Sequence, residues 1–278
     1  MKKLTRITIV LFSILFLTSC FRVETVIKVN KDGSGTITEK VLMSKMFSDM
    51  MRSFGETFAT EGTQQQKPFS LFDEEKLTNQ AGEYGEGVTY KSGKEISEND
   101  WEGYSVVYQF TDISKIKLST SQDDKVDTGM SHSSMEDEEE YEQDEFYYFS
   151  FKKGSSPTLI INRTDIEPVN NNTSDAQEAN EMGEMDSMGN EMIQMFEGMR
   201  FSMKIEVNGK ISKTNASYRN GSSITLLDMD FGKMMKNKDA FVELTRKKPE
   251  TTAEMNAFMG KFDGLQVELE QPVTINFR

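Results

Sequence analysis

Val-Glu-Thr-Val-Ile-Lys-Val-Asn-Lys-Asp-Gly-Ser-Gly-Thr-Ile-Thr-Glu-Lys-Val-Leu, residues 23–42, decides the fold. Val23 to Val29 alternates β-branched with polar side chains, Lys31 to Gly35 supplies turn residues, and Thr36 to Leu42 resumes the strand pattern. A period of two interrupted by glycine, aspartate and serine predicts a β-hairpin. The nine residues from Asn30 also follow the start of an EF-hand calcium loop, with glycine at its sixth position. The loop would need aspartate first and a bidentate glutamate twelfth, where the chain has Asn30 and Val41, and strands flank it in place of helices. A hairpin turn is the simpler reading.

Working outward toward the C-terminus, Ser44 can cap a helix in which Met46, Phe47, Met50, Met51, Phe54 and Phe58 form one apolar stripe, packed on the hairpin's sheet. Residues 60–72 read as irregular and 73–80 as a short helix. Strands fit Val88 to Ser92, Trp101 to Thr111, Phe146 to Phe151 and Thr158 to Ile161, the last two joined by Gly154-Ser155-Ser156-Pro157. Phe201 to Val207 and Lys210 to Ser217 flank Asn208-Gly209, the strongest hairpin signal in the chain. A strand from Ser223 to Leu227, a helix over 251–262 and a strand from Leu265 to Phe277 follow. Hairpins with helices segregated between them predict an α+β fold with an antiparallel sheet, in one folded unit covering residues 20–278.

Working outward toward the N-terminus, Lys2, Lys3 and Arg6 precede the apolar run Ile7 to Leu17, which has the length of an export signal's core and is too short to span a bilayer. Leu17-Thr18-Ser19-Cys20 has the form of a lipobox, where the cysteine thiol takes a diacylglycerol and the chain is cut before it. The expected mature protein begins at Cys20, the chain's only cysteine, and is held to a membrane by lipid on the exported side of the cell envelope. Phe21 stands where an aspartate would favour inner-membrane retention, so the outer membrane is expected if the cell has one.

The formal charge is -14. It is concentrated: residues 122–145 hold eleven acids against Lys125, and residues 164–191 hold eight acids and no base. Acidic, polar stretches of this kind bury too little to offset chain entropy, so 122–145 and 164–181 are expected to be disordered insertions. The average alone would make the chain unsuited to nucleic acid or anionic membrane surfaces, but outside these stretches the mature chain is about +1; no nucleic-acid partner is expected.

Chemistry-bearing residues are sparse. His132, the only histidine, lies in the acidic stretch, so no Ser/His or Cys/His site can be assembled on the folded body, and no cofactor is expected. Met182, Met185, Met188, Met192, Met195 and Met199 recur at helical spacing and place six thioethers on one face. Thioethers suit Cu(I), which makes a soft-metal site one reading. Methionine also serves as an adaptable apolar filler, and it recurs on the other helical stripes here, so a packing or lipid-contacting face is the simpler one. Trp101, Tyr104, Tyr108 and Phe110 read as sheet core, with no basic patch to make them a stacking platform.

The lipobox followed by a strand and Asp32-Gly33-Ser34-Gly35, then Trp101-Glu102-Gly103-Tyr104 leading to Phe110-Thr111-Asp112-Ile113, then the strands around Asn208-Gly209 with Asn215 and Asn220-Gly221, together resemble the LppM-type family of envelope lipoproteins. The resemblance spans roughly residues 20–231. It implies an α+β ectodomain that contacts envelope lipids or glycolipids, without catalysis. The functional expectation is a non-catalytic, membrane-anchored protein that binds an amphiphile or an envelope partner in an apolar groove between sheet and helices; the alternative is Cu(I) binding by the Met182–Met199 face.

Overall fold

A computed structural model describes residues 21–58, 70–119, 146–164, 198–237, 254, 257 and 259–278. The expected insertions 122–145 and 164–181 lie almost wholly outside them, as does most of the helix expected over 251–262, for which Glu254, Ala257 and Met259 are helical.

The opening hairpin forms as its pattern predicts. β1 (Phe21–Val29) pairs antiparallel with β2 (Gly35–Ser44), from Phe21 opposite Met43 to Val29 opposite Gly35. Its turn closes on itself. Asp32 Oδ1 accepts from the Ser34 amide at 3.0 Å and from the Ser34 hydroxyl at 2.7 Å, and Asn30 Nδ2 donates to Ser34 Oγ at 3.0 Å. Gly33 sits at φ +88°, and a Cβ there would lie 2.8 Å from the Phe151 ring. These contacts use the oxygens that a calcium loop would turn inward on its ion, and Ser34 holds the Asp32 carboxyl below the usual range.

α1 (Lys45–Phe58) follows β2 directly. Phe47 and Met51 bury against Met43, with Phe21, Met50 and Leu71 around them. Met46, expected in that stripe, is 72% exposed instead: it lies one residue before Phe47, some 100° round the helix from it. α2 (Glu74–Gln80) is capped by Asp73, whose side chain accepts from the amides of Glu75 and Lys76. A single 3₁₀ turn, Ala81–Tyr84, leads into β3 (Thr89–Glu98) and β4 (Trp101–Phe110). β3 outruns the expected Val88 to Ser92 because its pairing with β4 resumes past a shift between Tyr90 and Ser92 and continues to Glu98 opposite Trp101.

The other described strands are β5 (Lys117–Ser119), β6 (Phe146–Lys152), β7 (Thr158–Arg163), β8 (Arg200–Val207), β9 (Ile211–Thr214), β10 (Arg219–Asn220), β11 (Ser223–Asp230), β12 (Leu265–Val267) and β13 (Val273–Phe277), with a short α3 (Phe231–Met234) after β11. They make two sheets. One runs β10-β11-β8-β1-β2-β4-β3, with β12 added on β11, and the other runs β5-β6-β7-β13-β9. One buried cluster takes Ile27, Ile37, Tyr108 and Ile205 from the first sheet and Phe149, Leu159 and Ile275 from the second, so the sheets share a core. The fold is α+β, mostly strand, and its pairings are antiparallel except one: β1 and β8 run parallel, Arg22 beside Arg200 and Val29 beside Val207.

Two sequence expectations are corrected. Asn208-Gly209 does not join a hairpin, because both edges of β8 are taken by β1 and β11 while β9 pairs with β13 in the other sheet. The turn carries the chain between sheets, with Asn208 N–H donating to Val29 and Lys210 N–H to Arg278. Leu265 to Phe277 is likewise not one strand. It breaks between β12 in the first sheet and β13 in the second, where Pro272 can donate no ladder hydrogen bond.

Candidate functional site

Two kinds of place in the body hold chemistry-bearing side chains: sealed carboxylates in the core, and clefts at the end of the first sheet where β1 begins.

Glu39 is 3% exposed, on the core face of β2 among Ile37 and Val41. A carboxylate at such depth is costly unless donors surround it. The Tyr84 hydroxyl donates to its Oε2 at 2.5 Å and the Tyr104 hydroxyl to its Oε1 at 3.5 Å. Tyr84 is positioned by the 3₁₀ turn, and its ring stands 5.0 Å from that of Tyr108. Burial, and then the neighbouring Glu39 charge, push the Tyr84, Tyr104 and Tyr108 hydroxyls well above the ordinary tyrosine value. Glu268, also 3% exposed, accepts from the backbone amides of Ser217, Tyr218 and Glu270. Both carboxylates are engaged structurally and out of reach of solute. Neither was evident in the sequence, where a single Glu in an alternating strand looks like any outward-facing charge.

The first cleft lies between α1, the segment Ser70–Phe72 and the β3–β4 hairpin. It measures about 240 Å³ and is lined by Arg52, Leu71, Phe72, Glu95, Ile96 and Glu102, among others. Arg52 pairs with Glu102 across it and with Asp49 at 2.7 Å along the helix. The groove expected between sheet and helices was apolar; this cleft instead mixes charged and polar side chains with Leu71, Phe72 and Ile96. The second cleft, about 260 Å³, opens on the other face of the same sheet end and is lined by Arg22, Glu24, Lys40, Leu42, Trp101 and Arg200, among others. There the Arg22 guanidinium lies 3.9 Å over the Trp101 ring and its Nε donates to the Gly198 carbonyl at 2.9 Å. Arg200 makes a two-pronged pair with Asp228 at 2.8 and 2.7 Å. Trp101 is therefore on the face away from the shared core, while Tyr104, Tyr108 and Phe110 are core as expected.

Of the residues singled out from the sequence, Leu17, Thr18, Ser19 and Cys20 lie outside the described residues, as do His132, Met182, Met185, Met188, Met192 and Met195. Met199 is described: it is half-buried against the main core, and its carbonyl accepts from the Phe231 amide. Among the described residues no group of three or more His, Cys, Asp or Glu could hold a metal ion, and no helix is long and apolar enough to cross a membrane.

No family model matches the chain, and no curated protein matches it. Among solved structures it is similar to the NMR structure of the folded domain of the Mycobacterium tuberculosis LppM protein, at 7% identity, covering 94% of this chain and 91% of that one, with a TM-score of 0.30. A superposition this loose carries no argument about site or activity.

Proposed function

We propose that the chain is a lipid-anchored envelope protein whose body works by binding, not catalysis, and whose ligand is an amphiphile held in the cleft between α1 and the β3–β4 hairpin. The observation that carries this reading is the cleft's make-up: Leu71, Phe72 and Ile96 offer apolar surface, and Arg52 and Glu102 offer charge beside it. Such a mixture suits a molecule with an acyl or aromatic part and a polar head. Anchoring rests on the basic head, apolar run and lipobox ending at Cys20, and it implies the exported side of a membrane, the outer one in a cell with two.

Native mass spectrometry of the mature protein, extracted and then offered phospholipids and glycolipids, tests the reading. The expected result is an adduct that weakens when Phe72→Asp or Ile96→Asp replaces the cleft's apolar surface with charge. A body that carries no amphiphile and accepts none overturns it.

A further inference from the structure

Four cations on the outer face of the first sheet are paired with acids. Lys28 pairs with Glu206 at 3.8 Å, Lys40 with Glu98 at 3.5 Å, Lys204 with Glu24 at 3.1 Å and Arg200 with Asp228 at 2.7 Å. The end of the sheet where β1 begins, β2 ends and β4 begins is different. Among the described residues Arg22 and Lys45 have no carboxylate partner there. Arg22 donates to the Gly198 carbonyl and Lys45 Nζ donates to the Asn99 carbonyl at 2.5 Å. Carbonyls orient a cation without cancelling its charge, so Arg22 and Lys45 keep theirs at this end, where Asp100, exposed on the β3–β4 turn, is the acid beside Lys45.

The apolar residues at this end are of a particular kind. Trp101 is only half-buried under Arg22, Phe21 is half-buried against the Phe47 ring at 5.4 Å, and Met46 is 72% exposed beside Lys45. Tryptophan with basic neighbours is the composition of protein surfaces at the headgroup level of a bilayer. β1 also begins at Phe21, so a single peptide bond separates this end's first residue from the residue read as the anchor. No spacer separates anchor from sheet.

We propose that this end, formed by Phe21, Arg22, Lys45, Met46 and Trp101, lies on an anionic lipid surface, with Arg22 and Lys45 meeting lipid phosphates and Trp101, Phe21 and Met46 entering the interfacial layer. The proposal rests on reading Cys20 as the anchor. It adds an orientation: the strands stand end-on to the membrane, and both clefts open beside the headgroups. Each unpaired cation near an anionic leaflet strengthens attachment by about fivefold.

Trp101 is the chain's only tryptophan and reports its own position. The experiment uses the full lipidated chain in vesicles of phosphatidylcholine with phosphatidylglycerol, some carrying acyl-chain bromines, and in phosphatidylcholine alone. Bromolipid is expected to quench Trp101 emission by roughly twofold in the anionic vesicles and much less in the neutral ones. Arg22→Gln with Lys45→Gln should erase that difference, with thermal melting unchanged. Because Arg22 touches the indole, Lys45→Gln alone, which does not, should remove part of it. Equal emission with and without bromolipid, and equal quenching by aqueous acrylamide in both vesicles, would overturn the orientation in a protein whose intact mass shows lipid on Cys20. An intact mass without lipid would overturn the anchor reading itself, and the orientation with it.

Discussion

Replacing Tyr84 by phenylalanine removes one hydroxyl from the core and nothing else, which makes it a clean perturbation of the buried carboxylate. Glu39 is 3% exposed and accepts a 2.5 Å hydrogen bond from that hydroxyl. A hydrogen bond to a charged group contributes about 1.5–3 kcal/mol, and stripping a donor from a buried carboxylate loses the upper part of that range, since water cannot replace it. Tyr84→Phe should therefore cost about 3 kcal/mol. Tyr104→Phe should cost about 1 kcal/mol or less, because its 3.5 Å contact is at the limit of a hydrogen bond. In the Glu39→Gln background, where no charge needs the donor, Tyr84→Phe should cost about 1 kcal/mol, giving a coupling of about 2 kcal/mol in the double-mutant cycle. Urea unfolding followed by far-UV circular dichroism measures all four proteins. Tyr84→Phe within about 0.5 kcal/mol of the parent, or an equal cost in both backgrounds, would refute the claim that this hydroxyl sustains Glu39.

The same cluster predicts an alkaline limit. Tyr84, Tyr104 and Tyr108 have folded-state values raised above the unfolded value of about 10. Their contribution is fully present below pH ~10 and is lost as pH climbs from there toward the folded values, by about 1.4 kcal/mol per pH unit for each tyrosine. Urea midpoints from pH 8 to 11 should fall above 10, and less steeply in Tyr104→Phe. Gly35→Ala should cost about 3 kcal/mol or more, because a Cβ there would stand 1.9 Å from the Lys28 carbonyl oxygen, and thermal melting reads the loss. Asp73→Ala, which uncaps α2, should cost about 1 kcal/mol in the same assay.

The parts of the fold that were legible in the sequence are those whose partners lie close along the chain. The β1–β2 and β6–β7 hairpins follow from alternation and turn residues, and α2 falls on the stretch 73–80 read as a short helix. Asn208-Gly209 shows where local chemistry stops deciding: its turn residues are those of a hairpin, yet β8 had already been claimed by a strand some 180 residues earlier. The parallel β1–β8 pair leaves no local trace. Leu265 to Phe277 has strand-like residues throughout, but Glu268 turns inward to hold the Ser217 and Tyr218 amides, and the chain changes sheets there. At the candidate site, Met46 and Lys45 were visible only as helix residues. That Arg22 and Lys45 lack acid partners depends on which carbonyls the tertiary structure brings to them, and no spacing in the sequence encodes it.

β1 lies in the interior of its sheet, with nine registered residue pairs to β2 on one side and eight to β8 on the other, and it begins beside Cys20. If Cys20 is the anchor proposed above, a pull on the opposite end of the sheet runs along the axis of this strand. The ladders on both flanks meet such tension in shear, sharing it across their length, whereas a strand at the rim pulled sideways would unzip one rung at a time. Detachment by force would be governed by the rate of losing β1 as a whole. Such a strand would be a mechanical root for a body held, as proposed, at that cysteine.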